Sequence, residues 1–253
     1  MMGAMVRVIM SATAMILLLN ACDPSLEDPN PPAKPEWVPK STPYDTTESG
    51  IDADPGGDVI LLEWYTGEDD DIENYRIYRA SESIEEKFNL LEEVRAIINV
   101  GAVNTYIDDN VSIGIPYYYF LRAVDQAGNL SPRSDTLGYK LLQKINLYEP
   151  ISGTVSQVKP TFKWSDPTSA ASEYVIRVEQ FNPNRVIWIS ALTPQNYSGD
   201  IQSLVYGSPD VFYLAQSELS SGVSYRWRID IVSALDRENE AGSESYWGYF
   251  TVQ

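Results

Sequence analysis

No histidine occurs anywhere in the chain, and cysteine occurs once, as Cys22. Ser–His–Asp and Cys–His nucleophilic systems need an imidazole base, so their usual forms are excluded. Zinc sites built from His and Cys are excluded with them. A single Cys cannot close an intrachain disulfide, so cysteine pairing says nothing about the redox compartment. Cationic side chains are scarce as well: 18 Lys and Arg face 36 Asp and Glu, for a formal net charge of −18. A surface that negative repels phosphate backbones and anionic head groups, which argues against nucleic acid as a partner and against polybasic membrane binding. Its plainest consequence is solubility.

Apolar and aromatic residues are plentiful. Hydrophobic residues make up 43% of the chain, with 17 Tyr and 6 Trp, enough for two cores. The length of 253 residues suits two domains of about 100 residues each once both ends are set aside.

The first end has its own logic. Arg7 precedes an apolar run from Val8 to Leu19, shorter than the roughly 20 residues of a spanning helix and matched to the apolar region of a signal peptide. The run stops at Leu19-Asn20-Ala21-Cys22. These residues resemble a bacterial lipobox, with an aliphatic residue three places before the Cys and a small residue just before it; Asn20 departs from the usual small residue. The resemblance implies a signal peptide over 1–21, cleavage before Cys22 and acylation of its thiol and freed amine. Each buried CH₂ contributes about 0.8 kcal/mol, so two or three acyl chains hold a soluble domain on a membrane without a spanning helix. The alternative is a signal anchor in which Cys22 is incidental. Asp23 resembles an inner-membrane retention signal, whereas Glu27 and Asp28 resemble a surface-export signal, so the expected location is the exported cell envelope, with the outer membrane or cell surface favoured.

Prolines at 24, 29, 31, 32, 35 and 39 follow. Each fixes φ and removes a donor, so residues 22–42 are expected to form an extended tether without helix or sheet. A Pro-rich ligand for a partner module is the sharper but less economical reading.

From residue 43 onward, short alternating segments are separated by turn signals, the pattern of an all-β sandwich. Glu85 to Ile98 fits a short helix or a strand pair equally well. Internal repetition is the stronger signal. Val59-Ile60-Leu61-Leu62-Glu63-Trp64 precedes Tyr75-Arg76-Ile77-Tyr78, and Pro160-Thr161-Phe162-Lys163-Trp164 precedes Tyr174-Val175-Ile176-Arg177-Val178. Later, Val111-x-x-Gly114-x-x-Tyr117 lines up with Leu219-x-x-Gly222-x-x-Tyr225. Counting by twos makes Tyr117, Tyr119, Leu121, Ala123 and Tyr225, Trp227, Ile229, Ile231 the inward faces, with Arg226, Arg228 and Asp230 turned outward.

These residues resemble the fibronectin type III sandwich, which carries a core Trp on its second strand and a Leu-x-x-Gly-x-x-Tyr approach to its sixth. The resemblance implies two tandem fibronectin type III or immunoglobulin-like β-sandwiches, over 43–142 and 143–253, with Tyr117 and Tyr225 as tyrosine-corner residues. Ala123 to Ser131 resembles that fold's last hairpin, where Gly128-Asn129 can supply positive φ. The second domain departs from the pattern through a long segment between Trp188 and Leu219 and a longer, acidic last hairpin, Leu235 to Ser245.

Few segments suggest chemistry. The acidic run Glu68 to Glu73 lacks the alternating ligands and central Gly of a calcium loop, and reads as a solvated turn. Asp52 to Asp58 encloses Pro55-Gly56-Gly57 and reads as the turn between the first two strands. Paired carboxylates for glycoside hydrolysis need a cleft that a thin sandwich does not offer. No catalytic residue, metal or cofactor is expected. Trp188, Tyr197, Tyr206, Tyr213, Tyr246 and Trp247 are candidates for stacking on a ligand, against the plainer reading that most of them pack the cores. The expectation is a non-enzymatic lipoprotein that contacts a membrane through its anchor and displays its sandwiches for protein interaction, adhesion or spacing. The alternative is a glycan-binding surface lipoprotein of a nutrient-uptake system. Burial of Trp188, Tyr206 and Trp247 separates the two.

Overall fold

The computed structural model describes residues 29–83, 85–97, 99–169, 171–194, 199–208, 210–233 and 240–253. Residues 1–21, where a signal peptide is expected, Cys22, the start of the expected tether, Ile98, Tyr197 and residues 234–239 lie outside the described residues. All regular structure among the described residues is strand.

The first sandwich sets a three-stranded sheet against a four-stranded one. Strands β1 (Asp52–Ala53), β2 (Ile60–Tyr65) and β5 (Val103–Asp108) run in the order β1-β2-β5. Strands β3 (Ile72–Ser81), β4 (Asn89–Arg95), β6 (Pro116–Asp125) and β7 (Leu137–Leu141) run β4-β3-β6-β7. Within the ambiguous Glu85–Ile98 region, Asn89–Arg95 form an edge strand, β4, because pairing with β3 supplies backbone partners that an isolated turn of helix would lack. Period-two alternation turns Ile60, Leu62 and Trp64 of β2 inward against Tyr75, Ile77, Tyr119 and Leu121. The Asp52–Asp58 segment is the expected turn, with Gly56 N–H donating to Asp54 Oδ1 at 2.6 Å.

The second sandwich repeats this plan. Strands β8 (Asn146–Glu149), β10 (Thr161–Ser165) and β13 (Ile201–Val205) form one sheet, ordered β13-β10-β8. Facing it are β11 (Glu173–Gln180), β12 (Arg185–Leu192), β14 (Val211–Leu214) and β15 (Ser224–Val232), ordered β14-β12-β11-β15. Two short strands share the far side of β15: β17 (Gly248–Val252) pairs its first half and β16 (Glu240–Glu244) its second. A further short strand, β9 (Thr154–Val155), runs parallel to β17. The long segment after Trp188 therefore supplies β13 and an added edge strand, β14.

The repeat holds at the level of individual contacts. Trp64 and Trp164 are both fully buried, and each meets the next strand's Tyr edge-on: Trp64–Tyr75 at 5.7 Å and Trp164–Tyr174 at 5.8 Å between ring centroids. Neither indole N–H finds an acceptor among the described residues, a cost that packing of the large ring must offset. Both tyrosine corners form. Ser112 N–H donates to Tyr117 Oη at 3.0 Å, and Ser220 N–H to Tyr225 Oη at 2.9 Å. The hairpin after β6 closes as expected, with Gly128 at φ 86°.

The tether expectation needs correction where it meets β2. Because β1 covers only Ile60 and Leu61, the rest of β2 is left open on that side. Residues 36–38 take the vacancy: Val38 N–H donates to Glu63 O, and Tyr65 N–H to Glu36 O, both at 3.0 Å. The prolines flank this stretch and leave its own N–H groups available. Trp37 then packs edge-on against Trp64.

The two sandwiches are also joined backbone to backbone. β16 pairs in parallel with β7, placing Gly242 opposite Leu141, so one sheet runs β14-β12-β11-β15-β16-β7-β6-β3-β4 through both cores. Leu142 N–H donates to Gly242 O at 2.8 Å. Glycine is required here by space. A Cβ on Gly242 would lie 2.7 Å from Tyr139 Oη and 3.2 Å from the Ile231 carbonyl oxygen. We expect Gly242→Val to push β16 off β7 at a cost of about 1–3 kcal/mol, and to split thermal unfolding, followed by calorimetry, into two transitions.

Candidate functional site

The joint between the sandwiches carries the densest polar chemistry among the described residues. It begins with an arrangement that should repel itself. Arg177 of β11 lies directly across the ladder from Arg228 of β15, and Asp230 of β15 lies directly across from Glu244 of β16. Like charges opposite each other are destabilising. Sequence alternation places these side chains on the outer face of the sheet, as expected, but that face is not solvent. Arg177 is 1% exposed and Arg228 3%. The expectation that Arg228 and Asp230 point into water is therefore corrected: a second layer covers them.

That layer is residues 41–50, which leave the first sandwich as a loop. Ser41 N–H donates to Ser49 O at 3.0 Å and Asp45 N–H to Thr42 O at 3.1 Å, closing the loop on itself. Gly50 ends it at φ 87°, where a Cβ would strike the Lys40 backbone at 2.6 Å. Gly50 N–H donates to Glu63 Oε2 at 2.8 Å, fixing the loop to β2.

The loop presents Glu48 to both guanidinium groups. Arg177 reaches Glu48 Oε1 at 2.9 Å and also donates to the Asp45 carbonyl at 2.8 Å. Arg228 pairs with Glu48, with Asp230 through Nε at 2.8 Å, and with Glu244 at 2.8 Å. Glu48 thus relieves the Arg–Arg contact, and Arg228 relieves the Asp–Glu contact. Tyr44, at the start of the loop, donates to Glu173 and stacks on Phe212 at 4.0 Å. Its ring packs over Val175, Ile189 and Ala191, a small apolar cluster on the same outer face. Trp247 closes the other side, 4.0 Å from the Arg226 guanidinium and 5.0 Å from that of Arg228.

Burial sets the protonation preferences. It pushes Glu244 well above the usual carboxylate range and raises Glu48, with Arg228 pulling both the other way and Arg177 pulling Glu48 as well. Burial likewise raises Tyr139, whose hydroxyl donates to Asp52 Oδ1 at 2.9 Å. Lys144 is lowered by burial, although Nζ donates to the Asp54 and Glu244 carbonyls at 2.8 and 2.7 Å.

A cleft of about 370 Å³ opens beside this cluster, lined by Lys40, Glu48, Asp52, Tyr139, Asp230 and Glu244 among others. Its carboxylates are the one grouping of metal-ligand type among the described residues, with Glu48, Asp230 and Glu244 offering oxygens within 4.8 Å of one another. Arg228 already sits among them and bonds all three. The cation this cluster holds is a side chain of the protein itself, and its chemistry is that of a lock.

Three of the aromatic candidates resolve as framework. Trp188 and Tyr206 are buried and touch each other at 5.0 Å, while Trp247 lies against the two arginines. Tyr213 and Tyr246 are exposed. Glu68 to Asp71 of the acidic run form the turn between β2 and β3, whereas Ile72 and Glu73 open β3; Asp69 accepts from Ala33 N–H of the Pro-rich segment at 2.9 Å. Sequence reasoning passed over the lock because outward-facing charges on a strand ordinarily meet water. Arg177, set between Ile176 and Val178 and repeated across from Arg228, was the available signal.

No protein-family model matches the chain, and no curated protein is similar to it in sequence. Among solved structures, the chain is similar to the FN1-FN3 domains of chicken CNTN1, with a TM-score of 0.31 and 14% identity, over 88% of this chain and 68% of that one.

Two outcomes test the lock. Arg228→Met strands two buried carboxylates, Asp230 and Glu244, and the part-exposed Glu48 without their cation, and should destabilise the chain by about 3–5 kcal/mol near pH 8, read by urea unfolding. The loss should shrink in acid as the carboxyls protonate. For Glu244 the folded value lies above its ordinary 4.5, so its contribution is full below that value and is lost as pH rises through the folded one. Glu244→Gln, which copies the protonated form, should therefore raise the unfolding midpoint at alkaline pH and leave it nearly unchanged in acid.

Proposed function

We propose that this chain is an exported lipoprotein of the cell envelope, anchored through acylated Cys22, whose two sandwiches act as one rigid body for protein interaction, adhesion or spacing. The observation that carries the reading is the double joint between the sandwiches. A shared sheet and a buried ion cluster spend binding groups on holding two modules in one orientation. That is useful to a protein that must present surfaces at a fixed separation, and of little use to independent modules on a flexible linker. The fibronectin type III-like sandwiches have cores filled by side chains, leaving edges and end loops as the surfaces for partners.

Glycan binding draws less support. Stacking on sugars needs rings open to solvent, and Trp188 and Tyr206 are core residues, while Trp247 already stacks on Arg226.

The anchor is tested directly. Cys22→Ser should abolish incorporation of labelled palmitate and move the protein from the membrane to the soluble fraction. Protease shaving of intact cells should then remove both sandwiches of the wild-type protein. Unchanged labelling in Cys22→Ser would refute the anchor, and full protection from protease would refute surface display.

A further inference from the structure

The long sheet that joins the sandwiches has two ends, and they are protected very differently. At one end, β4 reads Asn89-Leu90-Leu91-Glu92-Glu93-Val94-Arg95 and carries charge along its free edge. At the other, β14 reads Val211-Phe212-Tyr213-Leu214 and pairs only with β12. All four of its residues are exposed, Phe212 to 53%. An edge strand presents unpaired backbone N–H and C=O groups, and proteins normally guard such edges with Lys, Pro or inward charge. None of these occurs within β14, whose only guards are its four-residue length and a register shift opposite Ile189 and Ser190.

The neighbourhood extends the feature. β13 is the edge of the facing sheet, and residues 206–210 alone separate it from β14. Tyr206, on that connection, packs its ring against Trp188 of β12, so both edges lie on one side of the sandwich. β13 adds exposed Ile201 and Val205 to the same side. From Ile201 to Gln216 the chain has one charged residue, Asp210.

We propose that β14 is a self-association edge, and that its occupant is β14 of a second copy, paired antiparallel about a two-fold axis. The argument for a second copy is electrostatic. At a net charge of −18, two copies repel over most of their surface, and like charges set against each other cost affinity. The β13–β14 side is a stretch where two copies can meet without opposing carboxylates. An isologous antiparallel ladder would extend the sheet across both chains and cover Phe212, Tyr213 and Leu214 on each side. This inference is independent of whether Cys22 carries lipid.

The test uses residues 29–253, which contain every described strand and both cores. Sedimentation equilibrium should show a monomer–dimer equilibrium below roughly 100 µM, the range of weak specific contacts. Tyr213→Lys or Val211→Lys should weaken the dimer about tenfold or more by placing like charges across the two-fold. Leu90→Lys at the opposite end of the sheet should leave it unchanged. Near-ultraviolet circular dichroism should match wild type in all three, separating loss of the dimer from loss of the fold. A wild-type chain that stays monomeric, or a dimer equally strong in Tyr213→Lys and Val211→Lys, would overturn the proposal.

Discussion

Arg228 is the residue on which the arrangement of this molecule turns. Its guanidinium sits on the outer face of the second sandwich, within reach of a carboxylate from the 41–50 loop, one from its own strand and one from β16. A buried cation of this kind is a poor source of net stability, since desolvation consumes much of the attraction. It is a strong source of specificity. The three carboxylates belong to three separate segments, and only one placement of those segments satisfies the fork. Orientation of the two sandwiches follows from this constraint, together with the β7–β16 pairing that Gly242 permits.

The Pro-rich segment acquires a different character in this light. It is a strap rather than a free spacer. Residues 36–38 complete the open part of β2, and residues 41–50 carry Tyr44 and Glu48 across to the other sandwich. The chain nearest the expected membrane anchor thus touches both cores. Tension applied at that end would load β2 and the charge cluster together, so both sandwiches would bear it.

Much of the fold was legible because its determinants are local and repeated. A core Trp followed by a Tyr on the next strand, and a Gly three residues before a strand-opening Tyr, are constraints of packing and turn geometry that each domain must satisfy by itself. They recur as matched ring contacts and matched tyrosine corners. The lock was not legible in the same way, because it depends on which surface a distant loop covers. Strand alternation assigned Arg228 to the correct face but could not tell a covered face from a wet one. The aromatic candidates divide along the same line. Trp188 sits in a β-branched run and could be read as core, whereas the exposure of Tyr213 depends on the edge position of β14, which pairing rather than composition decides. The Glu85–Ile98 region was ambiguous because an edge strand with exposed Glu92 and Glu93 imitates a helix face.

The central claim, that the two sandwiches form one body, is most directly tested by a distance between them. Nitroxide labels at Ile113→Cys in the first sandwich and Tyr249→Cys in the second, both exposed positions, can be placed on the chain from residue 29, diluted with unlabelled protein and measured by double electron–electron resonance. A single narrow distance distribution is predicted. A broad one, spanning many separations in the wild-type chain, would contradict the account.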